Sequence, residues 1–118
     1  MEKNIILEKS YQFALKIVRL YKYLTEEKHE IVLSKKLLNS GTEIGAQVKA
    51  AQEVGFREEF IRRNQSAFVE AGRTEFRLKL LFDGGFREEE TYRSINDDCV
   101  ELKRILTAIL KTAKANQC

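Results

Sequence analysis

A helical pattern that continues through two glycines, within residues 36–51, constrains the fold more than any other feature of this chain. Small or apolar residues recur at helical spacing through this segment and just before it: Leu33, Leu37, Ser40 or Gly41, Ile44, Val48 and Ala51. A glycine inside a helix costs about 1 kcal/mol relative to alanine, so a compensating interaction must offset the cost of Gly41 and Gly45. We expect these glycines to pack closely against Ala67 and Ala71 of a later helix.

Three further segments show the same periodicity, and the chain contains no proline that would interrupt a helix. The sequence predicts a first helix from Ile5 to about Leu24, and a second that carries residues 36–51 and ends near Val54. A third extends from about Arg57 to Phe82, and a fourth from the acidic run at 88–90 to about Ala115. Asn4 is the expected N-cap of the first helix, and Gly55 is expected in a left-handed conformation after the second. The prediction is an all-α protein, a single domain over residues 1–118 that forms an antiparallel up-down-up-down four-helix bundle.

The composition argues against several classes of protein. Charged residues make up 33% of the chain and hydrophobic residues 43%, which is typical of a globular domain rather than a disordered or membrane-spanning one. No signal-peptide pattern is present, so the cytoplasm is the expected location. His29 is expected in a polar connection, Cys99 in the core, and the terminal Cys118 as a free thiol. No residues are spaced as a catalytic, cofactor-binding or metal site, so we do not expect an enzyme.

The third predicted helix carries apolar residues on two faces. Its main stripe, expected to face the core, comprises Phe60, Asn64, Ala67, Ala71, Leu78 and Phe82. Val69, Phe76 and Leu80 project from the opposite side, with Arg73 and Arg77 around them. Isolated surface hydrophobes are common and offer a simpler interpretation. Because a helix with two apolar faces is either buried on both or makes an outside contact, we favour a self-association face.

Basic residues are distributed unevenly, although the net charge is only +3. Favourable i,i+4 ion pairs explain most of the charges as solvated helix faces. Two stretches without acidic residues supply the candidate nucleic-acid contacts: Lys16, Arg19, Lys22, Lys103, Arg104, Lys111 and Lys114. Repeated around an oligomer, such patches would act together on a polyanion. Glu70, at the flank of the core stripe, is expected to hydrogen-bond to Ser40 or Thr42.

Two segments resemble the signatures of a known family. Residues 37–51 read LLNSGTEIGAQVKAA, which is similar to LLRSGTSIGANVEEA, and residues 59–81 read EFIRRNQSAFVEAGRTEFRLKLL, which is similar to DFIxKxxIALKEAxETxYWLxLL. These patterns are typical of small bacterial four-helix bundle proteins encoded within intervening sequences of large-subunit ribosomal RNA genes, often labelled ribosomal proteins. The resemblance covers nearly the whole chain. It marks a helix-packing signature of Ser40, Gly41, Thr42, Ile44, Gly45, Glu70 and Ala71.

That family in turn resembles the accessory variability proteins of diversity-generating retroelements, which are barrel-like pentamers that bind nucleic acid and a reverse transcriptase. The resemblance therefore implies a homo-oligomer, with a pentamer as the expected form. It also permits binding of RNA, DNA or a nucleic-acid-processing protein. Asn39 replaces the arginine of the family pattern, which weakens the inference of a nucleic-acid contact at that position.

The leading hypothesis is a non-enzymatic oligomeric bundle that binds nucleic acid or a nucleoprotein partner. The alternative is a protein-interaction scaffold that binds no nucleic acid. Neither hypothesis calls for a cofactor or a membrane.

Overall fold

The computed structural model describes residues 4–86 and 88–116, and over those residues it consists of four helices. They are α1 (Ile5–Glu26), α2 (Val32–Gln52), α3 (Arg57–Asp83) and α4 (Glu89–Ala115). Each helix packs against the one before it in an up-down-up-down arrangement, and α4 closes the bundle against α1. The prediction of an all-α four-helix bundle is therefore confirmed. None of the described helices has the length and apolar character needed to cross a membrane, and Cys118 lies outside the described residues.

The first two helices begin at specific side-chain hydrogen bonds. The Asn4 side chain accepts a hydrogen bond of 3.1 Å from the Leu7 amide at the start of α1, as predicted. Before α2, the Glu30 carboxylate accepts hydrogen bonds from the Leu33 and Ser34 amides at 3.1 and 2.8 Å, and from the Ser34 hydroxyl at 2.7 Å. Desolvation alone would raise the pKa of the Glu30 carboxyl, but these hydrogen bonds together lower that pKa. Glu30 is thus expected to stabilise the start of α2 as a carboxylate.

The predicted left-handed glycine after α2 is wrong. Among the described residues, positive φ angles occur at His29, with 56°, and at Gly85, with 88°, and not at Gly55. The Glu53 amide donates to the Ala50 carbonyl at 3.1 Å and closes the last turn of α2 in a right-handed conformation. Because this tighter turn ends the helix, no left-handed residue is required at position 55 to end it.

The buried stripe of α3 differs from the predicted one at its two ends. Ile61 and Leu81 are buried, with 7% and 0% exposure, whereas Phe60 and Phe82 are only half-buried. Phe82 stacks on Tyr92 of α4, with ring centroids 4.6 Å apart. At each end of α3 the aliphatic residue is therefore in the core, and the neighbouring phenylalanine lies at the edge of the core. The middle of the predicted stripe is correct, since the buried residues there include Asn64, Ala67, Ala71 and Leu78.

For a Cβ atom added to either glycine of α2, the nearest atoms belong to α1 and not to the alanines of α3, although α2 does pack against α3 as predicted. A Cβ atom added to Gly41 would lie 2.8 and 2.9 Å from two γ carbons of Ile17. A Cβ atom added to Gly45 would lie 3.4 Å from the Ser10 carbonyl oxygen. Gly41 therefore permits a close approach of α1 to α2 that a side chain would obstruct.

Ser40 is the residue of the signature that faces α3. Its hydroxyl forms a buried hydrogen bond of 3.1 Å with the Thr74 hydroxyl. Because adjacent residues of a helix point about 100° apart, the neighbouring glycine is directed toward a different helix. The predicted hydrogen bond from Glu70 to Ser40 or Thr42 is wrong, since the Glu70 carboxylate accepts from Arg73 at 2.8 Å.

Candidate interaction surfaces

The outer face of α3 exposes three large apolar side chains in a row. Val69, Phe76 and Leu80 have 50%, 66% and 41% of their surface exposed, on the side of α3 opposite its buried stripe. We refer to these three residues, with Arg73 and Arg77, as the outer face of α3. The structure thus places the three apolar residues at the surface of the chain, where the sequence predicted them.

Both arginines of the outer face of α3 are held by hydrogen bonds. Arg73 donates to the Glu70 carboxylate, and Arg77 donates to the Lys36 carbonyl of α2 at 2.9 Å. Beside them lies a groove of about 420 Å³ between α2 and α3. The described residues that line it are Leu33, Lys36, Gly72, Arg73, Phe76, Arg77 and Leu80, and none of these is acidic. The surface is therefore apolar and cationic.

The candidate nucleic-acid contacts do not form one patch. Lys16 and Arg19 line a groove of about 430 Å³ between α1 and the start of α4, together with Glu88. Lys111 and Lys114 lie near the other end of α4, where Arg57 of α3 donates to the Asn116 carbonyl at 2.7 Å. Because α1 and α4 are antiparallel, the two basic stretches lie toward opposite ends of the bundle.

Two of the candidate contacts already form ion pairs between helices. Lys16 of α1 pairs with Asp98 of α4. Lys103 of α4 lies 2.7 Å from the Glu75 carboxylate of α3, and its ammonium group lies 5.3 Å from the centre of the Phe68 ring. Both pairs are partly shielded from solvent, and both reduce the charge available to an outside polyanion. For Arg19, Lys22, Arg104, Lys111 and Lys114, no ion pair with another described residue is present.

A groove between α3 and α4 combines two of the unpaired cations of α4 with apolar side chains. Its volume is about 670 Å³, and it is lined by Gln65, Phe68, Val69, Thr107, Leu110, Lys111 and Lys114. We call it the α3–α4 groove. Sequence analysis identified Lys111 and Lys114 but missed Phe68 and Leu110. Those two residues come together only when α3 and α4 pack side by side, and no spacing within one helix indicates that.

The helix-packing signature lies within the bundle. Its buried members are Ser40, Gly41, Ile44 and Ala71, and its half-buried members are Thr42, Gly45 and Glu70. The Ala71 carbonyl accepts a hydrogen bond of 3.3 Å from the Cys99 thiol of α4. The signature lies on α2 and α3, and its residues thus connect these two helices with each other, with α1 through Gly41 and with α4 through Ala71.

Cys99 lacks the features of a nucleophile, and no metal centre is found among the described residues. Desolvation by burial, together with the nearby carboxylate of Glu75, raises the pKa of Cys99 to about 12, so the side chain is a thiol at neutral pH. Within the described ranges, no group of three or more His, Cys, Asp and Glu side chains converges as metal ligands. His29 lies exposed in the connection between α1 and α2.

The fold and its surfaces define a small helical-bundle protein with an exposed second helix face. Residues 2–108 match the family of the 23S rRNA-intervening sequence protein, and the chain belongs to that family, as predicted. The chain is also similar to a crystal structure described as a protein with unknown function from the S23 ribosomal protein family of Bacteroides thetaiotaomicron. The two share 42% sequence identity with a TM-score of 0.89, over 90% of this chain and 98% of the other. None of the curated proteins matches this chain.

Proposed function

We propose that this protein is a non-enzymatic homo-oligomer that assembles through the outer face of α3 and binds nucleic acid or a nucleoprotein partner. The observation that carries the proposal is the row of exposed apolar side chains at Val69, Phe76 and Leu80. Covering three such half-exposed side chains is worth about 3 kcal/mol at the usual transfer free energies. This free energy favours association of the subunits when neighbouring contacts add to it.

The charge on the outer face of α3 favours a ring over a twofold dimer. In a twofold dimer the same face of both copies meets, so Arg73 and Arg77 would approach arginines of the same sign. The only acid hydrogen-bonded to these arginines among the described residues is Glu70, which is already paired with Arg73. A ring joins two different faces, so these charges support a cyclic assembly, of which the proposed pentamer is one form.

Light scattering on a size-exclusion column tests the assembly. Phe76→Glu should convert the oligomer to a monomer, because it places a charge in the middle of the apolar row. Phe56→Glu is the matched control, since Phe56 is 70% exposed and lies before α3, away from its outer face. A wild-type protein that is monodisperse and monomeric would refute the proposal of self-association.

The nucleic-acid part of the proposal rests on Arg104, Lys111 and Lys114, which lie on α4 without ion-pair partners among the described residues. The family's link to an intervening sequence of 23S rRNA supports it, as well as a place of action in the cytoplasm. Retention of labelled RNA or DNA at low salt would support this part. Binding that stays undetectable at low salt, where counterion release favours it most, would remove it.

The second candidate function is a protein-interaction scaffold without nucleic-acid binding. The observation that favours it is the pairing of Lys16 with Asp98 and of Lys103 with Glu75, which removes two of the seven candidate cations. If the protein forms an oligomer that binds neither RNA nor DNA, the scaffold function is favoured over nucleic-acid binding.

A further inference from the structure

We propose that the α3–α4 groove is a binding site for single-stranded nucleic acid. In this site Arg104, Lys111 and Lys114 hold phosphates, and one or two bases lie against Phe68 and Leu110. The inference rests on the nucleic-acid part of the proposed function, and it adds the site and the form of the ligand.

The charge of the groove fits a polyanion. Lys111 and Lys114 line it, no described residue that lines it is acidic, and neither lysine pairs with a described carboxylate. Arg104 lies seven positions before Lys111, which is close to two helical turns, so it shares that face of α4 about 10 Å away. Two lysines that line the groove, with a third cation further along α4, suit a phosphate backbone better than a single anion.

The apolar floor favours single strands over a duplex. Phe68 and Leu110 form this floor, both are half-buried, and neither belongs to the outer face of α3. A duplex presents phosphates and would leave this floor uncovered, whereas an unpaired base covers it with an aromatic surface. The ion pair of Lys103 with Glu75 places an ammonium group over the Phe68 ring and fixes the position of one wall of the groove.

An acidic amphipathic helix is the competing occupant, and the small apolar area of the groove argues against it. A helix bound in a groove uses apolar anchors at i, i+3 or i+4, and i+7, which extend over two turns. Among the described residues that line the groove, the apolar ones are Phe68, Val69 and Leu110, and Val69 belongs to the outer face of α3. The two that remain offer too little apolar surface for three anchors, but enough for one or two bases.

Fluorescence anisotropy with the full chain tests the site. The probes are fluorescein-labelled 12-nucleotide oligo(dT) and a labelled 12-base-pair duplex, measured at 50 and 200 mM salt. Three phosphate contacts on a single strand give a salt slope of about −2, so the wild type should lose about 20-fold in affinity over that range. Lys111→Glu with Lys114→Glu should weaken oligo(dT) binding at 50 mM salt at least tenfold. The same variant should reduce the salt effect to about threefold, because one contact remains.

The matched control is Lys28→Glu with Lys35→Glu, two exposed lysines outside the candidate contacts, which changes the net charge equally and should leave the affinity within about threefold. Phe68→Leu tests the floor. Loss of base contact with the ring should weaken oligo(dT) fivefold or more and leave the duplex unaffected. Circular dichroism of each variant checks that the bundle is intact.

The outcomes separate this inference from the proposed function. Equal losses in the two charge-reversal variants, or a duplex bound as tightly as oligo(dT), would overturn the groove as the site. Loss of the oligomer in the Lys111→Glu, Lys114→Glu variant would also overturn it, because the groove would then be a contact between copies. In these cases the proposed nucleic-acid binding stands. If neither probe binds at 50 mM salt, both the groove as a binding site and the proposed nucleic-acid binding are overturned.

Discussion

Replacing Gly41 by alanine should destabilise this protein, although alanine is the better helix former. Alanine gains about 1 kcal/mol in helix propensity over glycine. Its Cβ atom, however, would lie 2.8 and 2.9 Å from γ carbons of Ile17, which is 0% exposed and cannot move aside into solvent. Overpacking of this kind costs roughly 1–3 kcal/mol. The net expectation is a loss of about 1 kcal/mol in the free energy of unfolding.

Gly72→Ala is the matched control, because a Cβ atom at Gly72 meets nothing within 4 Å. It lies within α3, so it gains the same propensity without the steric cost, and it should raise stability by about 1 kcal/mol. The propensity terms cancel in the comparison, so the difference between the two variants, about 2 kcal/mol, measures the overpacking at Ile17. In a chain of this size that corresponds to roughly 6–10 °C in Tm.

Urea unfolding followed by circular dichroism at 222 nm is the assay. Both variants should be made in the Phe76→Glu background at one fixed protomer concentration, so that assembly does not contribute to stability. Ile17→Ala removes the γ carbons and should cost less in the Gly41→Ala background than alone. If Gly41→Ala stabilised the protein as much as Gly72→Ala, the close approach of α1 to α2 at Gly41 would be refuted.

Two further predictions concern side chains that the structure places in specific environments. Glu30→Ala should lower stability by about 1 kcal/mol at pH 7 through loss of the helix cap. Because the pKa of Glu30 is lowered in the folded state, its contribution is complete above the unfolded pKa and disappears as pH falls through the folded pKa. The wild type and the variant should therefore converge in urea titrations at acidic pH, and a constant difference down to pH 2 would contradict this. Cys99 should resist alkylation at pH 8, since burial raises its pKa to about 12. In a Cys118→Ser variant, labelling of the folded protein should be far slower than in urea, and equal rates would show that Cys99 is accessible.

Prediction from sequence succeeded where the signal is local. Helical periodicity depends on side chains within a few turns of one another, and so does the cap at Asn4, where the side chain bonds the Leu7 amide three residues on. The exposure of Val69, Phe76 and Leu80 followed from the same periodicity, since they lie opposite the buried stripe of α3. The left-handed Gly55 failed because the last turn of α2 closes at Glu53 by a hydrogen bond that composition does not reveal.

The sequence by itself determined the four helices, the family and the exposed apolar row on α3. Only the tertiary structure decided which helix each flank of a stripe contacts. Gly41 packs against Ile17 of α1, while its neighbour Ser40 bonds Thr74 of α3. The physical reason is that one amphipathic helix specifies a buried direction but not the identity of the neighbours on either side. For the same reason the α3–α4 groove, with Phe68 beside Lys111, became visible only once the two helices were packed together.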